Sequence, residues 1–387
     1  MKWLRRAVGL AVLLVVGAAL ASGGSGTDSV RQRYLPDSNA LRTVSRFGGE
    51  RVVTVTSLGD PDAVRADPHW LTAARPLGAG APPWARRMYS RSLLVLRGLV
   101  DEHSGAAIAG AREGWAYVWP RDASAVAIAL AAAGYRGEAR RIVSFLRGLD
   151  LDAAARFDAD GTPVEGRDAQ GDAVGWIAAA ARAAGMDTDL PRQPWRDRAD
   201  YQEGDPGDYL GNAIADSWVD GPKTRLYGVK SARRRGVLEE FATRRGLARQ
   251  EGDPGSGLDS AAAWAVRPFP HPALFPLARR TLLRIAATSG RFGIVPSENW
   301  NGGDDPWTAP TAWVAWSLAA LGERSAALRL MAELRRAATP AGMLPERVDA
   351  RTGIPTSTTP LAWSHAFAIL AIRELWPRTA SNSLSSR

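Results

Sequence analysis

Apolar residues recur every three to four positions along most of this chain, and only briefly every second position. From residue 84 the pattern is helical: Leu93, Leu94, Leu96 and Leu99 share one face of a helix predicted over 84–103. The same spacing predicts helices over 122–133, 137–149, 172–184, 260–266, 273–287, 311–321, 324–338 and 361–375. Gly134, Gly185 and Gly322 stand just past predicted ends, where a left-handed residue closes a helix. No strand–helix–strand alternation interrupts the series, so a doubly wound parallel sheet is excluded. Loops between the helices are long and hold most of the tryptophans and acids, the pattern of a ring of helical hairpins. Residues 27–83 are instead punctuated by Pro, Gly and Asp, with one hairpin predicted from 41–46 and 51–57 across Gly48-Gly49.

Composition narrows the chemistry. With 387 residues, 45% hydrophobic and 23% charged, the chain can bury a large core and is not a disordered polymer. The absence of cysteine removes disulfides, thiolate nucleophiles and cysteine-ligated zinc. The four histidines, His69, His103, His271 and His365, are isolated from one another. Asp158-Ala159-Asp160-Gly161 lacks the third acidic ligand of a calcium loop and reads as a turn. Gly221-Pro222-Lys223-Thr224 lacks the glycine spacing of a phosphate-binding loop. No cofactor and no metal are therefore expected.

The net charge of +9 raises the question of nucleic acid, and its distribution answers it. Lysine occurs only at Lys2, Lys223 and Lys230; arginine supplies the rest, interspersed with acids apart from the run Arg233-Arg234-Arg235. Removing Lys2, Arg5 and Arg6 with residues 1–21 would lower the charge to +6. An arginine-for-lysine habit of this kind is compositional rather than a binding stripe, and no nucleic-acid partner is expected.

Lys2, Arg5 and Arg6 precede an apolar run over 7–21 that ends in Ala19-Leu20-Ala21. Fifteen helical residues would span roughly 22 Å, short of the ~30 Å hydrocarbon core, so the segment reads as a signal peptide, with an uncleaved anchor as the alternative. Either way the body is expected outside the cytoplasmic membrane, extracellular or in the cell envelope, with no other membrane association. The expected organisation is a signal peptide over 1–21, a linker with a short β or irregular segment over 22–83, one helical catalytic domain over 84–378, and a disordered tail over 379–387.

Chemistry concentrates in four stretches. Trp115-Ala116-Tyr117-Val118-Trp119-Pro120-Arg121-Asp122 gathers aromatics, an arginine and an acid at one helix start, a mix suited to the flat faces and adjacent hydroxyls of a sugar. A buried Arg121–Asp122 pair among core aromatics would leave the same trace. Leu344-Pro345-Glu346 precedes the helix carrying Trp363 and His365; a loop carboxylate beside tryptophan can activate water, although an isolated loop glutamate is more often solvated surface. The third stretch runs from Ser297-Glu298-Asn299-Trp300 to Pro306-Trp307. In the fourth, Gln170-Gly171-Asp172, the acid reads first as an N-cap.

Taken in order, these stretches resemble the glucoamylase-type glycoside hydrolases of family 15. The resemblance runs from Arg91 through Tyr117-Val118-Trp119-Pro120-Arg121-Asp122, Gln170-x-Asp172-x-x-Gly175, Leu258-Asp259, Pro306-Trp307 and Leu344-Pro345-Glu346 to Leu361-x-Trp363-Ser364, covering about 88–376. It implies an all-α (α/α)6 barrel of six helical hairpins, preceded by the short N-terminal irregular or β segment. It also implies metal-free inverting hydrolysis of α-glucosidic bonds by two glutamates. Glu346 matches the general base. Trp119, Arg121 and Asp122 match residues holding the terminal glucose, Tyr117 an aromatic near the cleaved bond, and Trp300, Trp307 and Trp363 complete the substrate-binding set. For the general acid, Asp200-Tyr201-Gln202-Glu203 resembles a Tyr-Trp-Glu segment with Gln202 in place of tryptophan, so Glu203 is the candidate and Glu240 the rival.

The resulting expectation is a monomeric, secreted exo-acting glucohydrolase for small α-glucan oligosaccharides. The alternatives are a trehalase-like activity on the same fold and a glycan-binding relative that has lost acid catalysis.

Overall fold

In the computed structural model, residues 29–47, 50–57, 61–112, 114–190, 193–203, 205–219, 238 and 240–378 are described. The N-terminal segment 1–21, the arginine run 233–235 and the tail 379–387 lie outside them. In chain order the elements are strands β1 (Ser29–Tyr34), β2 (Ala40–Phe47) and β3 (Glu50–Ser57), then helices α1 (Pro61–Thr72), α2 (Pro83–Leu99), α3 (Pro120–Ala133), α4 (Arg136–Arg147), α5 (Ala173–Ala184) and α6 (Leu210–Val219). Short strands β4 (Ala248–Gln250) and β5 (Asp253–Leu258) follow, with 3₁₀ turns at Ser260–Ala265 and Pro272–Leu274. Helices α7 (Phe275–Ala287), α8 (Thr308–Ala320), α9 (Arg324–Ala337) and α10 (Ala362–Leu375) complete the order.

Two kinds of helix alternate, and composition decides where each sits. α3, α5, α8 and α10 are apolar and buried almost all round. α2, α4, α7 and α9 bury one stripe and turn arginines outward. A helix apolar on every side has to be surrounded by protein, whereas a striped helix can face water. Accordingly α3, α5, α6, the 3₁₀ turn 260–265, α8 and α10 each pack on the next, and α10 closes back on α3, giving an inner ring of six segments. α2, α4, α7 and α9 form an outer layer against it.

The hairpins are not all complete. Between α5 and α6 the described residues of 186–209 form no helix, and between α6 and the 3₁₀ turn residues 220–237 and 239 lie outside the described set. The inner segment 260–265 is a 3₁₀ turn rather than the α-helix the periodicity predicts.

Aromatic side chains fill the ring. Trp176, Trp264 and Trp313 are fully buried and meet edge to face at 5.1 and 5.5 Å, with Phe269 and Phe367 against them. Where α5 meets α6 the approach is closer still: a Cβ on Gly175 would lie 2.3 Å from the Ala215 carbonyl oxygen. Gly175→Ala is therefore expected to push the two helices apart and cost about 1–3 kcal/mol, read as a lower thermal midpoint.

The antiparallel sheet β1-β2-β3 confirms the predicted hairpin and adds a third strand. α1 lies in a segment the sequence reads as irregular, because Asp62 and Pro68 look like turn punctuation. Tertiary contacts override that reading: Asp67 is buried, accepts from the Asn39 N–H at 2.8 Å and pairs with Arg97 at 2.6 Å, while Trp70 stacks on Tyr135 at 4.0 Å. α6 escapes the periodicity for a different reason. Its Asn212 points inward and donates to the Ala199 carbonyl at 3.2 Å, so a polar residue sits on the buried face.

Candidate functional site

The segments entering α3, α5, 260–265, α8 and α10 carry nearly all the residues singled out from sequence. Short backbone bridges tie these entries together: Gly110 to Leu361, Asp259 to Ser297, Ile294 to Trp307 and Trp307 to Arg347.

At the α3 entry, Val118 exchanges two backbone hydrogen bonds with Phe157, of 2.8 and 2.9 Å. The extended segment puts Tyr117 and Trp119 side by side, edge to face at 6.2 Å. Pro120 then fixes the first turn, and Arg121 and Asp122 follow in it, both buried. Arg121 Nη1 donates to Gln170 Oε1 at 2.7 Å and to Asp172 Oδ2 at 3.2 Å, and the guanidinium lies 4.9 Å from the Trp363 ring. Asp172 occupies the residue before α5 but makes no side-chain cap. The N-cap reading is corrected: a fully buried carboxylate next to a guanidinium gains more from the ion pair than from a backbone N–H.

Arg121 Nε and Asp122 Oδ2 stand 3.6 Å apart, both buried and both without a hydrogen-bond partner within the protein. Burial, more than any neighbour, pushes the Asp122 carboxyl up to about 7; Arg121 opposes this, while Glu346 and Asp172 add to it. Since the folded-state value lies above the unfolded value near 4, the native state holds a proton there that the unfolded chain releases, and stability drains as pH rises from about 4 to 7. Asp122→Asn mimics the protonated form. The wild type is thus expected to lose stability relative to Asp122→Asn as pH rises through that window, read from denaturation midpoints; a constant difference would contradict the raised carboxyl.

Glu346 is half-buried and held from several sides. Trp115 Nε1 donates to Oε1 at 3.3 Å and the Ser357 hydroxyl to Oε2. Its backbone N–H donates to the Thr358 carbonyl at 2.9 Å, and its carbonyl accepts from the Thr308 N–H at 3.0 Å. Two residues earlier, the Leu344 N–H donates to His365 Nε2 at 2.9 Å, while His365 Nδ1 meets Ser92 Oγ at 2.9 Å. That geometry requires a neutral imidazole, and burial pushes its pKa down to about 3. His365 is an anchor for the Glu346 loop, not a group facing the site. Trp307 adjoins Glu346 through the bridge to Arg347 and meets Trp300 at 5.4 Å.

Glu203 is exposed, with φ +54°, at the end of the turn Asp200-Tyr201-Gln202. Its carboxylate pairs with Arg167, which burial and the neighbouring Arg156 hold below the usual arginine range against the pull of Glu346. Arg167 thus holds Glu203 in an ion pair while itself feeling the charge of Glu346. Arg156 in turn lies over Tyr117 at 4.8 Å and Trp119 at 5.8 Å. Behind Glu203 the turn is rigidly mounted. Asp200 pairs with Arg249 at 3.2 Å, Tyr201 Oη donates to Asp259 Oδ1 at 2.7 Å, and Gln202 Nε2 donates to Asp259 Oδ2 at 3.1 Å. Gln202, the departure from the Tyr-Trp-Glu pattern, is thus a buried strut of this network. Glu240, the rival, is exposed, and no contact links it to the Glu346 loop.

Of the substrate residues expected from sequence, Asp122 and Trp363 stand against Arg121, Trp307 adjoins the Glu346 loop with Trp300 against it, and Tyr117 and Trp119 lie beside Arg156. Sequence reasoning missed Arg156, Arg167 and Ser357. Nothing in their local pattern marks them, since each acts on a residue distant in the chain. Among the described residues no cluster of His, Cys, Asp or Glu could hold a metal ion.

Comparison with known proteins agrees with this architecture. Residues 83–152 match the family described as glycosyl hydrolases family 15. The fold superposes on a wild-type glycosidase with a TM-score of 0.63 at 22% identity, covering 80% of this chain and 98% of that one. A bacterial glucoamylase complexed with acarbose gives 0.61 at 18% identity, over 82% of this chain and 59% of that one. The glucoamylase from Saccharomycopsis fibuligera gives 0.57 at 14%, over 77% and 96%. No curated protein matches the chain by sequence. The matched segment is similar to family 15 over residues 83–152, and the superposed structures share the six-hairpin fold of glucoamylases with this chain.

Proposed function

We propose that the protein is an exported, inverting glycoside hydrolase that removes terminal α-linked glucose from small oligosaccharides. The observation that carries this reading is the pair of buried, unpartnered polar atoms, Arg121 Nε and Asp122 Oδ2, beside a glutamate held by Trp115 and Ser357. Two adjacent polar atoms of opposite character suit neighbouring hydroxyls of a pyranose, and the tryptophans around them suit its apolar face. A glucose ring bound there would present its anomeric carbon towards Glu346.

In the reaction Glu346 takes a proton from water, and the water oxygen bonds to the anomeric carbon from the face opposite the leaving group. The bond to the glycosidic oxygen breaks as Glu203 gives that oxygen a proton. Glu203 has to carry a proton to act, so its ion pair with Arg167 opens when substrate enters. The same ion pair favours a second reading, a glycan-binding protein without turnover, in which Arg167 holds Glu203 permanently as a carboxylate.

Product stereochemistry tests the proposal. Maltose, isomaltose, dextran and trehalose are offered in turn and the first-formed glucose is followed by NMR. β-Glucose from at least one substrate is expected; α-glucose would sink the inverting scheme. Quenching of tryptophan fluorescence by glucose without release from any substrate would establish the binding-only reading. The charged, apolar segment over 1–21 supports export, and recovery of the protein outside the cytoplasm tests that part.

A further inference from the structure

The three-stranded sheet has an inner and an outer face, and their compositions differ sharply. Directly paired residues of an antiparallel sheet share a face. The register Arg31↔Val44↔Val53 and Arg33↔Arg42↔Val55, together with Arg46↔Arg51, therefore defines one face. The opposite face holds Tyr34 and Thr43, both buried, and Arg91 of α2 lies 3.5 Å from the Tyr34 ring. Around Tyr34 and Thr43 that face packs on the barrel, although its β3 side is open, with Val52 50% exposed; the first face is turned outward. It carries Arg31, Arg33, Arg42, Arg46 and Arg51 and no acid. Among the described residues, none of these five pairs with a carboxylate. Between them Val53 and Val55 are 43% and 57% exposed.

We propose that this face docks on an anionic lipid surface, the guanidinium groups lying among the headgroups and the valines at the acyl boundary. Charge complementarity supplies the first argument: five arginines without a counter-charge attract an anionic partner, each contributing about fivefold in affinity near such a surface. The valines supply the second, because an apolar stripe inside an arginine cluster suits the headgroup–acyl boundary, where arginine stems lie along apolar surface with the charge in water. The chain before the sheet supplies the third. The apolar run ends at Ala21 and β1 begins at Ser29, so the seven residues between span at most about 25 Å. Whenever that run is embedded in a bilayer, the sheet is held within reach of the surface. No helix among the described residues is long and apolar enough to cross a membrane.

Cosedimentation of the full chain with phosphatidylcholine vesicles, with and without phosphatidylglycerol, tests the proposal. The quantity read is the increment in partitioning that the anionic lipid produces. Combining Arg31→Gln, Arg33→Gln and Arg42→Gln is expected to reduce it about a hundredfold, and Val53→Ser with Val55→Ser about tenfold. All five positions are on the outward face, and an unchanged circular dichroism spectrum verifies folding. An increment unchanged in the arginine variant would overturn the proposal, because the N-terminal segment would then account for all binding. Retention on duplex DNA, with the valine variant binding anionic vesicles as the wild type does, would overturn it in favour of a polyanion.

Discussion

Glu346→Gln is expected to lower the rate of α-glucoside hydrolysis by about a thousandfold while leaving substrate affinity within a few-fold. A positioned general base contributes about 10²–10⁴ in rate, and an amide cannot take the proton from water. The substitution is sterically silent here: the amide oxygen can accept from Trp115 Nε1, and the amide N–H can donate to Ser357, so the loop between Leu344 and Leu361 keeps its shape. The loss should therefore fall on kcat and not on KM. A second readout is independent of turnover. Glu346 is one of the charges that raise the Asp122 carboxyl, so in Glu346→Gln the pH at which Asp122 releases its proton should move down. Hydrolysis within tenfold of the wild type would remove Glu346 from the role of base.

Arg121→Met is expected to produce the largest loss of stability of any single substitution in the site. Arg121 is the cation between two buried carboxylates, Asp122 and Asp172, and it also donates to Gln170. Removing one partner of a buried pair leaves the charge of the other unmatched, at a cost of about 3–5 kcal/mol. In a chain of this size that corresponds to a fall of roughly 4–6 °C in thermal midpoint. Burial raises both carboxyls, so protonation relieves the cost, and the deficit should shrink as pH falls below about 7. Should Arg121→Met fail to fold, Arg121→Met combined with Asp172→Asn removes one stranded charge and should recover part of the loss. A deficit independent of pH would show that Arg121 acts through packing alone.

How much of the site was readable beforehand follows from the range over which each residue acts. Trp119, Pro120, Arg121 and Asp122 are neighbours in the chain, and a proline at a helix start with an acid in its first turn is a local signal. Asp172 was misread because its local signal, an acid immediately before a helix, is that of a cap, whereas its partner Arg121 lies 51 residues away. Trp115 and Glu346 are 231 residues apart, and no periodicity reports such a contact. The ion pair of Glu203 with Arg167 is of the same kind. It turns a motif match into a mechanical question, since the candidate acid has to release an arginine before it can work.

By itself the sequence determined that the chain is helical, that some helices are apolar all round and others striped, and that no thiol could carry any chemistry. Those properties follow from local periodicity and composition, which act through the backbone and through burial. Only the tertiary structure decided which tryptophans plug the ring, as Trp176, Trp264 and Trp313 do, and which stand beside Arg156, the Glu346 loop or Arg121, as Trp119, Trp307 and Trp363 do. Only it showed that one face of the short sheet gathers five arginines. Indole rings and guanidinium groups carry the same information in a sequence wherever they end up. Their partners, brought from distant parts of the chain when the inner helices close into a ring, assign the role.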